Sequence, residues 1–302
     1  MLDRSQAPSR SRGAPTQPLD RYAFRRLVRD ASRALGQAGL SSPESDARAL
    51  AEFVVGRPLV MIDGVGADDV ARFLGLVEQR SSRVPLQHLT GRMWFRGLEL
   101  VCRPGVFIVR PETEVVAGAA IEAALKAAPP SQRPAVVDLC AGSGAIAAAV
   151  AVEVPAARVV AVEIDDAAAG LARENCERLA PGRVEVVRGD ATAEGSLTGL
   201  DGAVDVVVSN PPYVPAGAVE DAETEQHDPD LALYGGGVDG LAVPRAVVGR
   251  AAVLLRQGGT LVMEHDPGQG AALRGAALEA GFRSAATGQD LAGRDRYLRA
   301  VR

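Results

Sequence analysis

The stretch AVVDLCAGSGAIAAAVAVE, residues 135–153, decides the fold. It opens on an apolar run that reads as a buried strand, breaks at Gly142 and Gly144, and resumes as an alanine-rich helix. Glycines at such a turn let the chain bend tightly and let a ligand approach the backbone. Four more apolar runs follow it: ARVVAVEI (157–164), RVEVVRG (183–189), VDVVVSN (204–210) and GGTLVMEH (258–265). Helical stretches such as DAAAGLARENCERLA (166–180) lie between most of them. Near-continuous apolar strands alternating with helices predict an α/β domain whose parallel sheet is covered on both faces.

In open α/β sheets ligands bind at the carboxyl ends of the strands, where the Gly142 loop lies. The second strand ends in VEID, with Glu163 21 residues after Gly142 (163 minus 142). A carboxylate there can accept both hydroxyls of a ribose. Gly142, Gly144 and Ala147 also satisfy the G-x-G-x-x-A form of the dinucleotide fingerprint, so NAD competes at this point. Asp138, four residues before Gly142, and Asp190, ending the third strand, fit instead the class I methyltransferase pattern and S-adenosyl-L-methionine.

Ahead of this domain the chain changes character. Residues 1–19 are rich in Ser, Pro and Arg and lack the apolar core of a secretory signal, so they read as a disordered tail on a cytoplasmic protein. Residues 20–82 read as a helical domain of three short helices, the second capped by Ser42 with Pro43 in its first turn. Residues 83–110 read as a β-hairpin linker turning at Gly91, Gly97 and Gly105, with Trp94 expected in the core. The helix PETEVVAGAAIEAALKAA then opens the 111–302 domain, and PPSQRP (129–134) is expected to be a linker.

Composition narrows the function. A net charge of −5 over 302 residues gives no general electrostatic reason to bind nucleic acid. Cys102, Cys140 and Cys176 and the three histidines share no metal-ligand spacing, so no metal is expected. The longest apolar runs fall short of a membrane span, and nothing demands more than a monomer.

The fourth strand stops abruptly in SNPPYVP (209–215). Two prolines cannot continue a sheet, because each lacks a backbone donor. Their carbonyls, and the Asn210 side-chain oxygen, are acceptors with little competition from donors. Together they suit a planar, weakly nucleophilic nitrogen. The Asn210–Tyr213 motif resembles that of amino-methyltransferases acting on adenine N6, guanine N2 or glutamine N5. PLQHLTGRMWF (85–95), GVFIVRPETE (105–114), LYGGGVDGL (233–241), MEHDPGQ (263–269) and DLAGRDRYL (290–298) narrow this. With them the chain, over residues 20–302, resembles the protein-(glutamine-N5) methyltransferases that modify bacterial peptide chain release factors.

The resemblance implies a class I S-adenosylmethionine-dependent methyltransferase with a mostly parallel, seven-stranded, Rossmann-like sheet and a small N-terminal helical domain that recognises the substrate. It implies methyl transfer to the glutamine of a Gly-Gly-Gln motif, with a nucleic-acid base amino group as the alternative acceptor. Asn210, Pro211 and Tyr213 are the expected catalytic residues, and Pro212 joins them in holding substrate. Asp138, Cys140, Ala141, Gly142, Ser143, Gly144, Glu163, Asp190, Ala191 and Asn210 are the expected cofactor contacts. Two positions depart from the pattern: Glu163 stands where many relatives carry Asp, and Ala191 where some carry an aromatic able to cover adenine. His265 and Glu264, ending the fifth strand, are expected to act structurally or to support the site residues from behind, with no chemistry assigned to them. The RPETE segment, with Pro111, Glu112 and Glu114, is expected to cap its helix alongside any role in closing the cofactor pocket.

Overall fold

The computed structural model describes residues 17–127, 133–218 and 221–302, which form two compact units, one ending at Thr90 and the other beginning at Gly91. In the first unit, β1 (Leu19–Asp20) leads into α1 (Arg21–Gln37), followed by α2 (Pro43–Val55), β2 (Gly64–Val65), α3 (Ala67–Ser81) and α4 (Leu86–Thr90). Asp20 starts α1 by accepting the Tyr22 and Ala23 amides, each at 2.8 Å. Phe24, Val28, Ala31 and Leu35 recur every three or four residues and form its buried stripe. Phe24 meets Phe73 of α3 edge to face, with ring centroids 5.6 Å apart. Ser42 precedes Pro43 as expected but makes no side-chain capping bond, and Gly56 ends α2 at φ 70°.

Two boundaries fall elsewhere than the sequence suggests. Residues 1–16 lie outside the described residues, but Leu19, expected in a disordered tail, pairs with Val65 as a strand. The ladder bonds and the Asp20 cap give this short segment partners that its composition does not announce. Residues 86–90, expected within a hairpin linker, form α4, because Leu86 and Leu89 pack together against the helical core. The hairpin itself is limited to β3 (Arg92–Phe95) and β4 (Leu98–Val101).

That hairpin opens the second unit. Its turn is Arg96-Gly97, with φ of 49° and 75°, the positive-φ pair that a tight two-residue hairpin requires. The Arg96 amide donates to Glu114 Oε1 at 2.8 Å and its guanidinium clasps Glu153 at 2.6 and 2.7 Å, which holds a non-glycine residue in that conformation. Trp94 points outward and is 67% exposed, not in the core as expected, because Met93 and Phe95 occupy the inward positions of the four-residue strand.

After α5 (Thr113–Ala127) the chain runs β5 (Ala135–Leu139), α6 (Ala145–Glu153), β6 (Arg158–Glu163), α7 (Asp166–Leu179), β7 (Val184–Arg188) and β8 (Val204–Ser209). It continues as α8 (Ala222–His227), α9 (Asp230–Leu233), α10 (Ala242–Leu254), β9 (Leu255–Glu264), α11 (Gly270–Glu279), β10 (Ser284–Gln289) and β11 (Asp295–Val301). The linker expected at 129–134 falls largely outside the described residues. Seven strands form one sheet in the order β10-β11-β9-β8-β5-β6-β7. The five from β7 to β9 are parallel, and β11 and β10 are added antiparallel at one edge. Alternate strand residues bury on opposite faces: Val136, Val159, Val206 and Val262 with α5 and α6, and Val137, Val160, Val207 and Leu261 with α10 and α11. The strand order reverses between β5 and β8, so the loops leaving those two neighbours open a crevice at their carboxyl ends.

In the first unit Arg80 is buried against Asp46, with Nε to Oδ2 at 2.7 Å. Arg80→Ala strands that carboxylate and is expected to cost about 3–5 kcal/mol of stability. Denaturant unfolding of this variant, beside an Asp46→Asn, Arg80→Met double variant that recovers most of the loss, checks this.

Candidate functional site

The loop Cys140–Gly144 leaves β5 through three positive-φ residues, Cys140 at 62°, Gly142 at 56° and Gly144 at 79°. Such a conformation turns backbone N–H groups toward a ligand. A Cβ on Gly144 would lie 3.0 Å from the Ala172 Cα and 3.1 Å from the Cys176 sulfur, so the loop packs directly on α7. Glu163, at the end of β6, accepts the Gly142 amide at 2.7 Å on Oε2 and the Asp165 amide at 2.9 Å on Oε1. Each carboxylate oxygen keeps a second lone pair, so two further hydroxyl donors can still be met. Asp190 accepts the Thr192 amide and hydroxyl on Oδ1, at 2.8 and 2.7 Å, which makes it a turn-former as well as a residue of the cavity wall.

These loops enclose a cavity of about 270 Å³. Of the expected cofactor contacts, Cys140, Gly142, Glu163, Asp190, Ala191 and Asn210 line it. Asp138, Ala141, Ser143 and Gly144 do not line it, and stand behind or within the loop. Asp138 is fully buried, accepts the Ala147 amide at 3.1 Å, and burial pushes its carboxyl up to about 8. The Ser143 carbonyl accepts from Asn175 Nδ2 at 3.1 Å. Among the cysteines, burial pushes the thiols of Cys102 and Cys176 up to about 12, far from a thiolate at neutral pH.

A second, smaller cavity of about 40 Å³ adjoins the first, lined by Asn210, Pro211 and Tyr213 with Phe107 and Arg110. Asn210, Phe107 and Ala232 line both, so the two cavities meet at these residues. Pro212 lines only the larger cavity. Asn210 Nδ2 donates to Thr113 Oγ1 at 3.3 Å, and the Tyr213 hydroxyl donates to Glu264 Oε1 at 3.2 Å. Among the described residues no hydrogen bond ends on the Pro211 carbonyl. The site therefore offers unused oxygen acceptors on an apolar wall.

The rest of the turn is tightly held. Val214 N donates to Leu233 O at 2.8 Å and Gly235 N to Val214 O at 3.0 Å. Gln269 Nε2 bridges the Tyr213 and Asp239 carbonyls at 2.8 and 3.0 Å. Gly235 and Gly240 press on this backbone. A Cβ would fall 2.8 Å from Pro212 O at the first and 2.3 Å from Tyr213 O at the second. The LYGGGVDGL segment is thus the floor that fixes the turn.

Phe107 and Thr113 were missing from the expected site. Phe107 is steadied by the Arg110 guanidinium 5.1 Å above its ring, and Arg110 in turn is held by Asp228 at 2.6 Å. Phe107 and Thr113 both lie in GVFIVRPETE, where the sequence suggests helix capping and closure of the cofactor pocket but gives no sign that they reach the clamp.

Residues 97–226 match the family described as Methyltransferase small domain, and residues 26–91 that described as PrmC N-terminal domain. The chain is similar to the release factor glutamine methyltransferase of Bifidobacterium longum, 43% identical across 91% of this chain and 98% of that one. It is 44% identical to the protein of that name from Streptomyces coelicolor, over 89% of this chain and 95% of the other. It is 43% identical to that from Mycolicibacterium smegmatis, over 92% and 98%.

Gly240→Ala adds a methyl group at φ 69° against the Tyr213 carbonyl, so the turn must shift. Methyl transfer is expected to fall at least about tenfold, because a small misplacement of the reacting groups has a large kinetic cost. S-Adenosylmethionine affinity should stay near wild type, and steady-state kinetics beside calorimetric titration separate the two.

Proposed function

The chain belongs to the release factor glutamine methyltransferase family, and we propose that it moves the methyl group of S-adenosyl-L-methionine onto the side-chain amide nitrogen of a release-factor glutamine. The single observation that carries the atomic reading is the pairing of the two cavities at Asn210, the larger lined by Gly142, Glu163 and Asp190 and the smaller by Pro211 and Tyr213. The fold is that of a class I methyltransferase, and the cofactor supplies an electrophilic methyl on a sulfonium.

Glu163 holds the ribose hydroxyls of the cofactor with the lone pairs left over from Gly142 and Asp165. Its longer reach than Asp is used in bonding back to the Gly142 loop, so the site keeps its shape before cofactor arrives. Asp190 accepts the adenine amino group. Ala191, with no ring to lay over adenine, leaves Ile164 of the same cavity wall as the apolar cover.

A carboxamide nitrogen is a poor nucleophile because its lone pair is delocalised into the carbonyl. The Asn210 oxygen and the Pro211 carbonyl each accept one amide N–H, which points the nitrogen along the methyl–sulfur axis. The same acceptors stabilise positive charge as it develops on nitrogen. Tyr213 and Phe107 wall the planar group. The proton leaves after methyl transfer, when the nitrogen has become acidic, so no strong base is needed at the start.

The N-terminal helices are assigned to holding the release factor while the second unit takes in the glutamine. The protein works as a monomer in the cytoplasm, where translation termination takes place, without stable nucleic-acid binding. No helix among the described residues is long and apolar enough to cross a membrane.

Purified protein with methyl-labelled cofactor and three acceptors (a release factor, total RNA and duplex DNA) tests the assignment. Label on the release-factor glutamine is expected; label on nucleic acid alone would overturn it. Asn210→Ala should lower kcat by about 100-fold or more, as for loss of one oriented acceptor of developing charge, while most of the cofactor affinity is kept. Glu163→Ala should instead weaken cofactor binding by about 10–100-fold through loss of charge-assisted bonds. Isothermal titration of both variants reads the difference.

A further inference from the structure

Behind the amide clamp lies a buried carboxylate that the reaction as described does not use. Glu264, 1% exposed at the end of β9, accepts the Tyr213 hydroxyl on Oε1 at 3.2 Å. Its Oε2 is buried with no partner of good hydrogen-bond geometry, and the Thr113 hydroxyl faces the same carboxylate. Thr113, 0% exposed, receives Asn210 Nδ2 at 3.3 Å. Two clamp side chains thus each stand one hydroxyl away from, or directly upon, a single acidic group.

We propose that Glu264 is a positioning residue for methyl transfer, which through the Thr113 hydroxyl decides which end of the Asn210 carboxamide faces the substrate while it holds Tyr213 directly. This rests on the reading of Asn210 as the amide acceptor. A threonine hydroxyl has a single hydrogen. Given to an ionised carboxylate, in a charge-assisted bond, it leaves only lone pairs for Asn210. Asn210 must then turn its NH₂ to Thr113 and its oxygen to the cavity. When Glu264 is protonated it gives its own hydrogen to Thr113, and the freed threonine hydrogen can bond the Asn210 oxygen instead. The carboxamide then turns its NH₂ toward the substrate amide, donor against donor. The ionised form is the competent one.

The surroundings place this exchange near neutrality. Burial is the largest influence and raises the carboxyl to about 7. The Thr113 and Tyr213 hydroxyls and the positive charge of Arg296 on β11 favour ionisation, and Glu112 before α5 opposes it. Arg296 is shared with Asp290 at 3.2 Å, so it does not neutralise Glu264 alone. The neighbouring His265 turns Nδ1 to the Asp266 carbonyl at 2.7 Å. Because the ionised group is competent, turnover rises with pH through the midpoint and is lost below it.

Full-length wild type, Glu264→Gln, Thr113→Val and Thr113→Ser are compared with a release factor and labelled cofactor between pH 5.5 and 9. The wild-type kcat is expected to fall about tenfold per pH unit below a midpoint near 7. Glu264→Gln and Thr113→Val should lose at least about tenfold at high pH and lose the acid limb, with cofactor affinity unchanged. Thr113→Ser, which keeps the hydroxyl, should restore both rate and limb. The Asn210 side-chain amide resonance, assigned by its loss in Asn210→Ala, should shift with the same midpoint in wild type and stay fixed in Glu264→Gln. That readout needs no acceptor, so a wrong substrate and a wrong role for Glu264 are told apart. A Glu264→Gln enzyme that keeps the acid limb, or whose Asn210 resonance still titrates, would overturn the proposal even if its rate fell.

Discussion

The site depends on one hydrogen bond at the point where the sheet reverses its order. Ser209, the last residue of β8, donates its hydroxyl to the Leu139 carbonyl at the end of β5, at 2.6 Å and fully buried. Beyond that bond the two chains part, one into the Cys140–Gly144 loop and the other into the Asn210–Val214 turn. Methyl transfer between two bound molecules needs donor and acceptor held in line to within fractions of an ångström. Tying the last residues of both strands together sets that distance at the centre of the sheet. The loops then need only local stiffness, which positive-φ residues, prolines and glycine contacts provide.

Much of this was legible in the sequence because its causes are local. Five apolar runs spaced by helices specify a parallel sheet, since only burial on both faces accounts for strands without polar alternation. The SNPPYVP turn is legible for the same reason: a strand that stops at two prolines has little choice of conformation. Other elements take their form from partners far along the chain. Leu86 and Leu89 are two apolar residues in a five-residue segment, too few to tell a helix from a strand by period, and the helical core decides for the helix. The SAATGQ sequence of β10 has almost no strand preference of its own. It becomes a strand by pairing with β11, where Tyr297 lies over Gly288 so closely that a Cβ there would fall 2.1 Å from the ring. That contact explains a tyrosine in DLAGRDRYL that its own surroundings leave unexplained.

The site residues divide along the same line. Glu163 and Gly142 are 21 residues apart and joined by a bond of 2.7 Å, a spacing that one βαβ unit fixes. Thr113 and Asn210 are 97 residues apart, and Tyr213 and Glu264 51, with no repeating spacing to announce them. A buried threonine in a helix's first turn reads from sequence as an ordinary helix residue, and only the packing of α5 beside β8 turns it toward the clamp.

What the site lacks is as instructive as what it holds. Asp138 and Glu264, the two acids of the site that burial raises, line neither cavity. A base placed directly on the substrate nitrogen would gain little, because an amide N–H is very weakly acidic until the methyl has arrived. Acceptors are a better use of that position, since they orient the planar group before the reaction and gain strength as charge appears. Neutral oxygens also let the apolar wall stay dry, which a carboxylate in the same place would not. The charge is kept one residue back, where it can set the hydrogen order of the clamp without competing for the methyl group.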